Sequence, residues 1–298
     1  MAGITRKVER KIKAAMRLSG FKISVFICSF CCSVSAWALD PPSQDRQFLS
    51  PPRKGDQNPL SPPSFISAKE ALRIGVREYN TGDKKQAARA LEFAANNGQA
   101  IALWKLGRMY CDGDGISKNH LKAFELFTEL TNKYSDVSPD SSLAPVISNA
   151  FVSLGHYYFS GIDGTYVTKD VERAREMFLY AATYFSNPDA QFDLAKIYLQ
   201  GIGVEKNKQM AARWLKLAAQ KRHYPSKALL GYLLITGDGI KKERTEGFML
   251  MMKARESALD ARSLEKDAWI FELCDKAEAV VPEKEKEKAM SYLNKSAE

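Results

Sequence analysis

The chain has 298 residues and carries a formal net charge of +9, which raises nucleic acid or an anionic membrane as a partner. The position of the charge argues against nucleic acid. Residues 1–38 hold seven basic side chains and one acidic side chain, so most of the net charge lies in this short stretch. With five cysteines in the whole chain, the sequence does not indicate a disulfide scaffold either.

The first 38 residues have the three regions of a secretory signal peptide. The basic stretch leads into a short apolar segment at residues 21–34 and then into a small-x-small motif that ends at Ala38. We expect cleavage after Ala38, export to the periplasm and no stable membrane insertion afterwards. A retained anchor is less favoured, because a spanning helix needs roughly 20 apolar residues and this run is shorter. A lipid anchor at Cys31 or Cys32 is disfavoured, because the residues before them, Ser-Phe and Phe-Cys, lack the small residues that lipidation sites normally show.

Cleavage would leave two cysteines, Cys111 and Cys274. An oxidising compartment would allow them to pair. Because residues so far apart lie on distant repeats of a stacked fold, two separate, semi-buried thiols are the favoured interpretation.

Residues 39–67 contain seven of the chain's twelve prolines and predict a disordered linker. The pattern becomes helical at Ser67, which begins a capping-box pattern. The first helix ends at Gly82, and a second helix follows from Lys84. We interpret these two helices as a degenerate helix pair.

Four copies of one pattern follow. Each has a small anchor residue, in three copies an aromatic residue three positions later, and a glycine-rich turn. The anchors are 48, 40 and 36 residues apart, and small residues on the next helix repeat at 51, 37 and 36. A period of this length predicts an all-α, right-handed solenoid of TPR-like helix pairs over residues 68–262, with the anchor on the first helix of each pair. The anchor positions, which we expect to be structural, are Gly107, Tyr110, Gly155, Tyr158, Ala195, Tyr198 and Gly231. The small residues on the second helices are Ala123, Ala174, Ala211 and Gly247.

The irregular steps come from two insertions, at residues 133–145 and 163–168. Insertions in solenoids form loops. For the longer one, residues 133–145, we expect a tolerated surface loop, and a partner contact or a protease-sensitive point is the alternative. Residues 263–280 and 283–296 are predicted to be charged amphipathic helices. We expect residues 263–298 to cap the stack.

Little in the chain points to catalysis. It has three histidines, no metal-binding motif and no phosphate-binding loop, so no cofactor or metal is expected. Gly113-Asp-Gly115 and Gly237-Asp-Gly239 could suggest calcium or nucleotide binding. Glycine at these places also permits the positive φ that ends a helix, and we favour this structural interpretation.

The residue after each anchor is predicted to be exposed on the inner, concave side of the stack. These four candidate partner-binding residues, called the anchor stripe below, are Arg108, His156, Lys196 and Tyr232. Two cations, a histidine and a tyrosine would suit a protein partner with acidic loops. A solvated face is the alternative. His156 also permits a pH-switch hypothesis, although a single histidine is more often a surface or packing residue.

The repeat pattern resembles Sel1-like repeats, most fully from residue 187 to residue 219. The region from about residue 67 to residue 280 is similar to the ExoR family of periplasmic negative regulators of exopolysaccharide synthesis. Four segments carry this resemblance: residues 103–110, 113–115, 187–192 and 209–215. The chain departs from the pattern in its long basic leader, its proline-rich linker, and Ala195 and Leu234 at the third anchor and fourth aromatic position.

The resemblance implies a specific role. Members of that family hold the sensor histidine kinase ExoS inactive through its periplasmic domain, and a periplasmic protease releases the kinase, which phosphorylates the response regulator ChvI. An envelope scaffold or secreted adaptor is the competing interpretation. An enzyme of the cysteine-rich Sel1-like group would need paired cysteines, which the mature chain lacks.

Overall fold

All regular structure in the described residues is helical. The computed structural model describes residues 67–261 and 265–295. The predicted signal peptide, its cleavage at Ala38 and nearly all of the predicted linker lie outside these residues. The twelve helices are α1 Ala68–Thr81, α2 Lys84–Asn96, α3 Ala100–Asp112, α4 His120–Tyr134, α5 Ala144–Ser160, α6 Val171–Thr183, α7 Pro188–Gln200, α8 Lys208–Gln220, α9 Tyr224–Thr236, α10 Arg244–Asp260, α11 Ala268–Val280 and α12 Glu283–Lys295.

The first ten helices form five consecutive pairs. Contacts are most extensive within a pair, from α1 with α2 to α9 with α10, and each second helix also packs on the first helix of the next pair. No pair could bury its apolar face alone, so the stacking supplies the core. The predicted all-α solenoid is confirmed.

Each anchor lies where the second helix of its pair approaches most closely. A Cβ atom added at Gly107 would lie 2.5 Å from the Phe127 ring, and one at Gly155 would lie 2.5 Å from the Phe178 ring. At Gly231 an added Cβ would lie 2.5 Å from the Met251 side chain and 2.6 Å from a backbone carbonyl oxygen. Ala195 is fully buried in a cluster with Leu215, a smaller partner. The anchors are therefore packing residues.

The degenerate first pair follows the same rule. Gly75 faces Leu91, whose Cγ would lie 2.7 Å from an added Cβ. At the start of α1 the Ser67 hydroxyl accepts from the Glu70 N–H at 3.1 Å. The Glu70 carboxylate instead pairs with Arg73. The structure therefore has one half of the predicted capping box.

The glycine-rich turns are structural, as predicted. Gly113 and Gly115 have φ of 72° and 79°, and Gly237 and Gly239 have 72° and 76°, values that favour glycine. The second glycine also brings the turn against the preceding pair. An added Cβ at Gly115 would lie 2.1 Å from the side chain of Lys84, the first residue of α2. Each turn thus fixes the register between neighbouring pairs.

A repeated hydrogen bond ties the turn to the second helix. The residue that caps the second helix donates its N–H to the carbonyl of the aromatic position: Asn119 to Tyr110 at 2.9 Å, and Asn207 to Tyr198 at 2.9 Å. The side chains of these two asparagines accept from the first turn of their own helices. The tyrosine rings lie half-buried at the edge of the core.

The C-terminal region differs from the prediction at its start. Residues 265–267 form a turn and α11 begins at Ala268, so the predicted start at residue 263 is wrong; residues 263 and 264 themselves lie outside the described ones. The reason is local. Asp267 is buried and accepts a hydrogen bond from the Tyr224 hydroxyl at 2.9 Å, which holds this turn against α9. Helix α11 packs on α9 and α10, and α12 packs on α10.

Candidate interaction surface

The anchor stripe is not uniform in exposure or in charge. Arg108 on α3 is exposed, and its guanidinium lies 2.9 Å from Asp112 and 5.9 Å from the Trp104 ring. Asp112 is one helical turn further along α3 and is about as exposed as Arg108. Because exposed pairs of this kind interact weakly, Arg108 stays available to a partner.

The middle of the stripe contains an ion cluster that joins two helix pairs. His156 on α5 lies with Nε2 2.6 Å from Asp193 Oδ2, and Lys196 on α7 lies with Nζ 2.9 Å from Asp193 Oδ1. Only 10% of the Asp193 side chain is exposed. The structure therefore brings together two of the four stripe residues and places a carboxylate between them.

The charge of Asp193 is held by its neighbours. Burial acts to raise the pKa of Asp193, but the hydrogen bond and charge of His156, together with those of Lys196, outweigh burial and leave the pKa below its usual value. The His156 ring also lies 5.3 Å from the Phe178 ring, which fills the space left by Gly155. The cluster is therefore built into the packing between pairs.

Tyr232, the last member of the stripe, is half-buried and packs against the C-terminal core cluster. An aromatic group adjoins the ion cluster. Phe192 on α7 has the Lys196 ammonium 5.2 Å from its ring centroid, the His223 ring at 5.2 Å and the Trp269 ring at 6.3 Å. Because Trp269 lies on α11, the C-terminal region reaches the first helices of two pairs.

The described residues were compared with the requirements of a metal site and of a membrane-spanning helix. Among residues 67–261 and 265–295 no group of three or more His, Cys, Asp or Glu side chains is arranged to hold a metal ion. In the same ranges no helix is long and apolar enough to cross a membrane. Cys111 and Cys274 are separate free thiols. Burial raises the pKa of Cys274 to about 11, so its thiol is a poor nucleophile.

The comparisons with known proteins agree with this repeat architecture. A family model described as Sel1 repeat matches residues 100–131, 152–183, 188–223, 225–258 and 281–298. A Rhizobium leguminosarum bv. viciae protein named exopolysaccharide production negative regulator is 31% identical over 76% of this chain and 82% of its own length. The chain belongs to the Sel1-repeat family, among the exopolysaccharide production negative regulators.

Two further relatives fit this family. A protein of the same name from Rhizobium meliloti (strain 1021) is 34% identical over 55% of this chain and 60% of its own length. A crystal structure of a Sel1 repeat protein from Oxalobacter formigenes has a TM-score of 0.55 and 21% identity, covering 66% of this chain and 74% of that one. The second likeness concerns the fold alone.

The Sel1 matches coincide with the helix pairs from α3 to α10, and the last match overlaps α12. The pair formed by α1 and α2 lies outside the matched ranges, yet Gly75 and Leu91 give it the same packing. Sequence reasoning missed Asp193, Phe192 and Trp269 on the interaction surface. The positions of these residues relative to the repeat anchors did contain a signal for Asp193. Asp193 lies two residues before the third anchor, and its partner His156 lies one residue after the second anchor.

Proposed function

We propose that this protein is a periplasmic negative regulator that binds the periplasmic domain of a sensor histidine kinase, holds its two-component pathway off and so represses exopolysaccharide production. It acts by binding and not by catalysis, and a periplasmic protease sets its level. The observation that carries the proposal is the similarity to a named negative regulator over 82% of that relative's length.

The architecture supports a binding role. Stacked helix pairs present long, continuous faces to a partner, and Sel1 repeats cover most of the described chain. The anchor stripe offers an exposed arginine, a half-buried tyrosine and the cluster around Asp193. Arginine and tyrosine are enriched among residues that dominate binding energy. We place the kinase contact on this face.

Deletion of the gene tests the regulatory role. We expect exopolysaccharide to rise in the deletion strain and to return to the parental level when the sensor kinase is also inactivated, because the regulator acts through the kinase. An increase that persists without the kinase contradicts the pathway. A deletion that weakens the envelope and leaves exopolysaccharide unchanged favours the alternative, an envelope scaffold for another protein.

A binding measurement tests the kinase contact directly. Lys196→Glu is a poor probe, because it would set a second carboxylate against buried Asp193. We therefore choose Arg108→Ala with Lys196→Gln and expect affinity for the purified kinase domain to fall about tenfold or more. The control is Lys85→Ala with Lys216→Gln, which removes the same charge from exposed positions on second helices. Equal binding by both double variants would remove the stripe from the contact.

A further inference from the structure

The turn between α5 and α6 is longer than its counterparts and builds a feature that the other pairs lack. The bond from the capping N–H to the aromatic carbonyl spans nine residues from Tyr110 to Asn119 and from Tyr198 to Asn207, but twelve from Tyr158 to Asp170. The three extra residues belong to the insertion at residues 163–168.

This turn is held in one conformation by its own hydrogen bonds. The Ile162 N–H donates to the Val167 carbonyl at 2.8 Å, and the Thr165 hydroxyl donates to the Ile162 carbonyl at 2.8 Å. Val167 is buried, with 4% of its surface exposed, while its neighbour Tyr166 is 68% exposed. The turn therefore presents a large aromatic ring to solvent on a preorganised backbone, which lowers the entropy lost when a partner binds.

The Tyr166 ring forms one wall of a groove whose other wall is α4. Its centroid lies 6.3 Å from that of Phe124 in an edge-to-face arrangement, and its hydroxyl lies 3.4 Å from the Glu125 carboxylate. The groove has a volume of about 510 Å³ and runs along α4 past Glu129 to Lys133. It is large enough to receive a long side chain and part of the segment that bears it.

The α4 wall carries two carboxylates, with the Lys133 ammonium at the far end of the groove. Glu125 and Glu129 lie one helical turn apart and are exposed, and neither forms an ion pair within the part of the chain that the structure describes. The Lys133 ammonium lies 5.7 Å from the Tyr134 ring. Between the two carboxylates, the Thr128 hydroxyl in the groove wall is buried and makes no hydrogen bond to any described residue. Such an unsatisfied group calls for a missing partner.

We propose that this groove, bounded by Tyr166 and the Glu125 to Glu129 turn of α4, binds an arginine side chain from the partner protein. A guanidinium is planar, stacks on an aromatic ring and offers five N–H donors, so it can use the Tyr166 face and both carboxylates together. A lysine ammonium is a point charge and matches this arrangement less well. The inference rests on the proposed function, because it takes the kinase periplasmic domain as the source of that arginine.

The groove is distinct from the anchor stripe in both position and sign. The stripe lies on first helices and offers cations, whereas the groove lies on the second helix α4 and offers carboxylates. A partner that contacts both faces must therefore present acidic and basic groups at separate points. This arrangement fixes the orientation of the partner as well as its affinity.

The experiment measures affinity between the exported full chain and the purified periplasmic domain of the sensor kinase. We expect Tyr166→Ala to weaken binding about tenfold or more, and Glu125→Arg with Glu129→Arg to weaken it further, since like charges then face the arginine. Tyr166→Phe keeps the ring and should bind within about threefold of wild type. The charge control is Glu92→Arg with Glu287→Arg, at exposed positions outside the groove, which should also stay within about threefold.

Charge exchange identifies the arginine. Each arginine of the kinase domain is replaced by glutamate in turn; one replacement should weaken binding to the wild-type chain and restore binding to the Glu125→Arg, Glu129→Arg variant. If the wild-type chain does not bind the domain, the proposed function fails and this inference fails with it. If it binds and the groove variants bind equally well, or no arginine replacement restores binding, only the groove assignment is overturned.

Discussion

At the scale of single residues, the anchors show how one missing side chain sets the distance between two helices. The Phe127 and Phe178 rings occupy the space that a Cβ would take at Gly107 and Gly155. In the pair formed by α7 and α8, alanine at the anchor coincides with leucine in place of phenylalanine. Anchor and partner have changed together there, whereas in the first pair glycine stays at the anchor opposite Leu91.

Gly155→Ala tests this coupling. The new Cβ would lie 2.5 Å from Phe178, so we expect a loss of about 1–3 kcal/mol in the free energy of unfolding, reduced by the better helix propensity of alanine. Adding Phe178→Leu reproduces the Ala195 and Leu215 combination of α7 and α8 and should recover part of the loss. Urea denaturation measures both. Strictly additive losses in the double variant would contradict the coupling.

The carboxylate of Asp193 gives a prediction about pH. Its pKa is lowered in the folded chain, so its contribution to stability is present above the unfolded pKa of about 3.9 and is lost as the pH falls through the folded value. We expect Asp193→Asn to cost about 1.5–3 kcal/mol at pH 7, because His156 and Lys196 lose a charged partner. The difference from wild type should shrink as the pH falls below the unfolded value.

Denaturant midpoints measured from pH 7 to pH 2 give this curve. Asp189→Asn is the matched control, because Asp189 lies on the same helix but is 59% exposed and pairs with His223 at 3.1 Å. It should cost less than about 1 kcal/mol across this range. A loss at Asp193 that is independent of pH would show that shape, and not charge, matters there.

At the scale of elements, contact between neighbouring pairs is fixed by the glycine-rich turns. In two of them an aspartate between the glycines pairs with the first residue of the preceding second helix: Asp114 with Lys84 and Asp238 with Lys208. In the turn that contains Gly203 the corresponding residue is Val171, and isoleucine stands between the glycines. The middle residue of each turn therefore suits the first residue of the helix that it contacts: aspartate occurs with lysine, and isoleucine occurs with valine.

The two aspartates should differ in importance. Asp114 also accepts from the Tyr79 hydroxyl at 2.6 Å, and its pKa is lowered by the hydrogen bonds from Lys84 and Tyr79. Asp238 is more exposed and meets Lys208 alone. We expect Asp114→Ala to lower the urea midpoint about twice as much as Asp238→Ala, and both effects to shrink in high salt. Equal, salt-independent effects would argue against an ionic role.

The sequence was sufficient to predict the helix pairs, but it was insufficient to predict the contacts between one pair and the next. Helical spacing and the repeat of small residues predicted the pairs, because Gly107 or Ala123 reports a close approach within one local unit. Asp193 carries no such signal by itself, since its partner His156 lies 37 residues away. Likewise the start of α11 at Ala268 depends on Tyr224, which lies 43 residues before Asp267. Register between pairs was needed to predict either contact.

At the scale of the whole described stack, the two ends differ. The first pair repeats the anchor packing of the others, through Gly75 and Leu91. At the other end α11 and α12 pack on α9 and α10 without forming a further pair of the same kind. Trp269 on α11 reaches Phe192 on α7, beyond the neighbouring pair. In a nearly one-dimensional stack such a contact couples the stability of the last helices to an interior repeat.

The coupling between the C-terminal helices and the rest of the stack depends on the hydrogen bond from Tyr224 to Asp267. Burial and the hydrogen bond to Asp267 raise the pKa of Tyr224 to about 12. The neutral hydroxyl is therefore the form that stabilises the fold, and its contribution to stability is lost as the pH rises through that value. Tyr224→Phe leaves the buried Asp267 carboxylate without this donor, and we expect a local cost of about 1–3 kcal/mol. Because α11 packs on α9 and α10 and reaches α7 through Trp269, amide hydrogen exchange should accelerate in α11 and α12 and stay unchanged in the distant helices α1 to α4. Tyr232→Phe on the same helix is the control and should leave exchange in both regions unchanged.

Uniform acceleration of exchange along the chain would mean that the stack opens as one cooperative unit. No acceleration in α11 would mean that Trp269 and the apolar contacts hold the C-terminal helices without the Tyr224 hydroxyl.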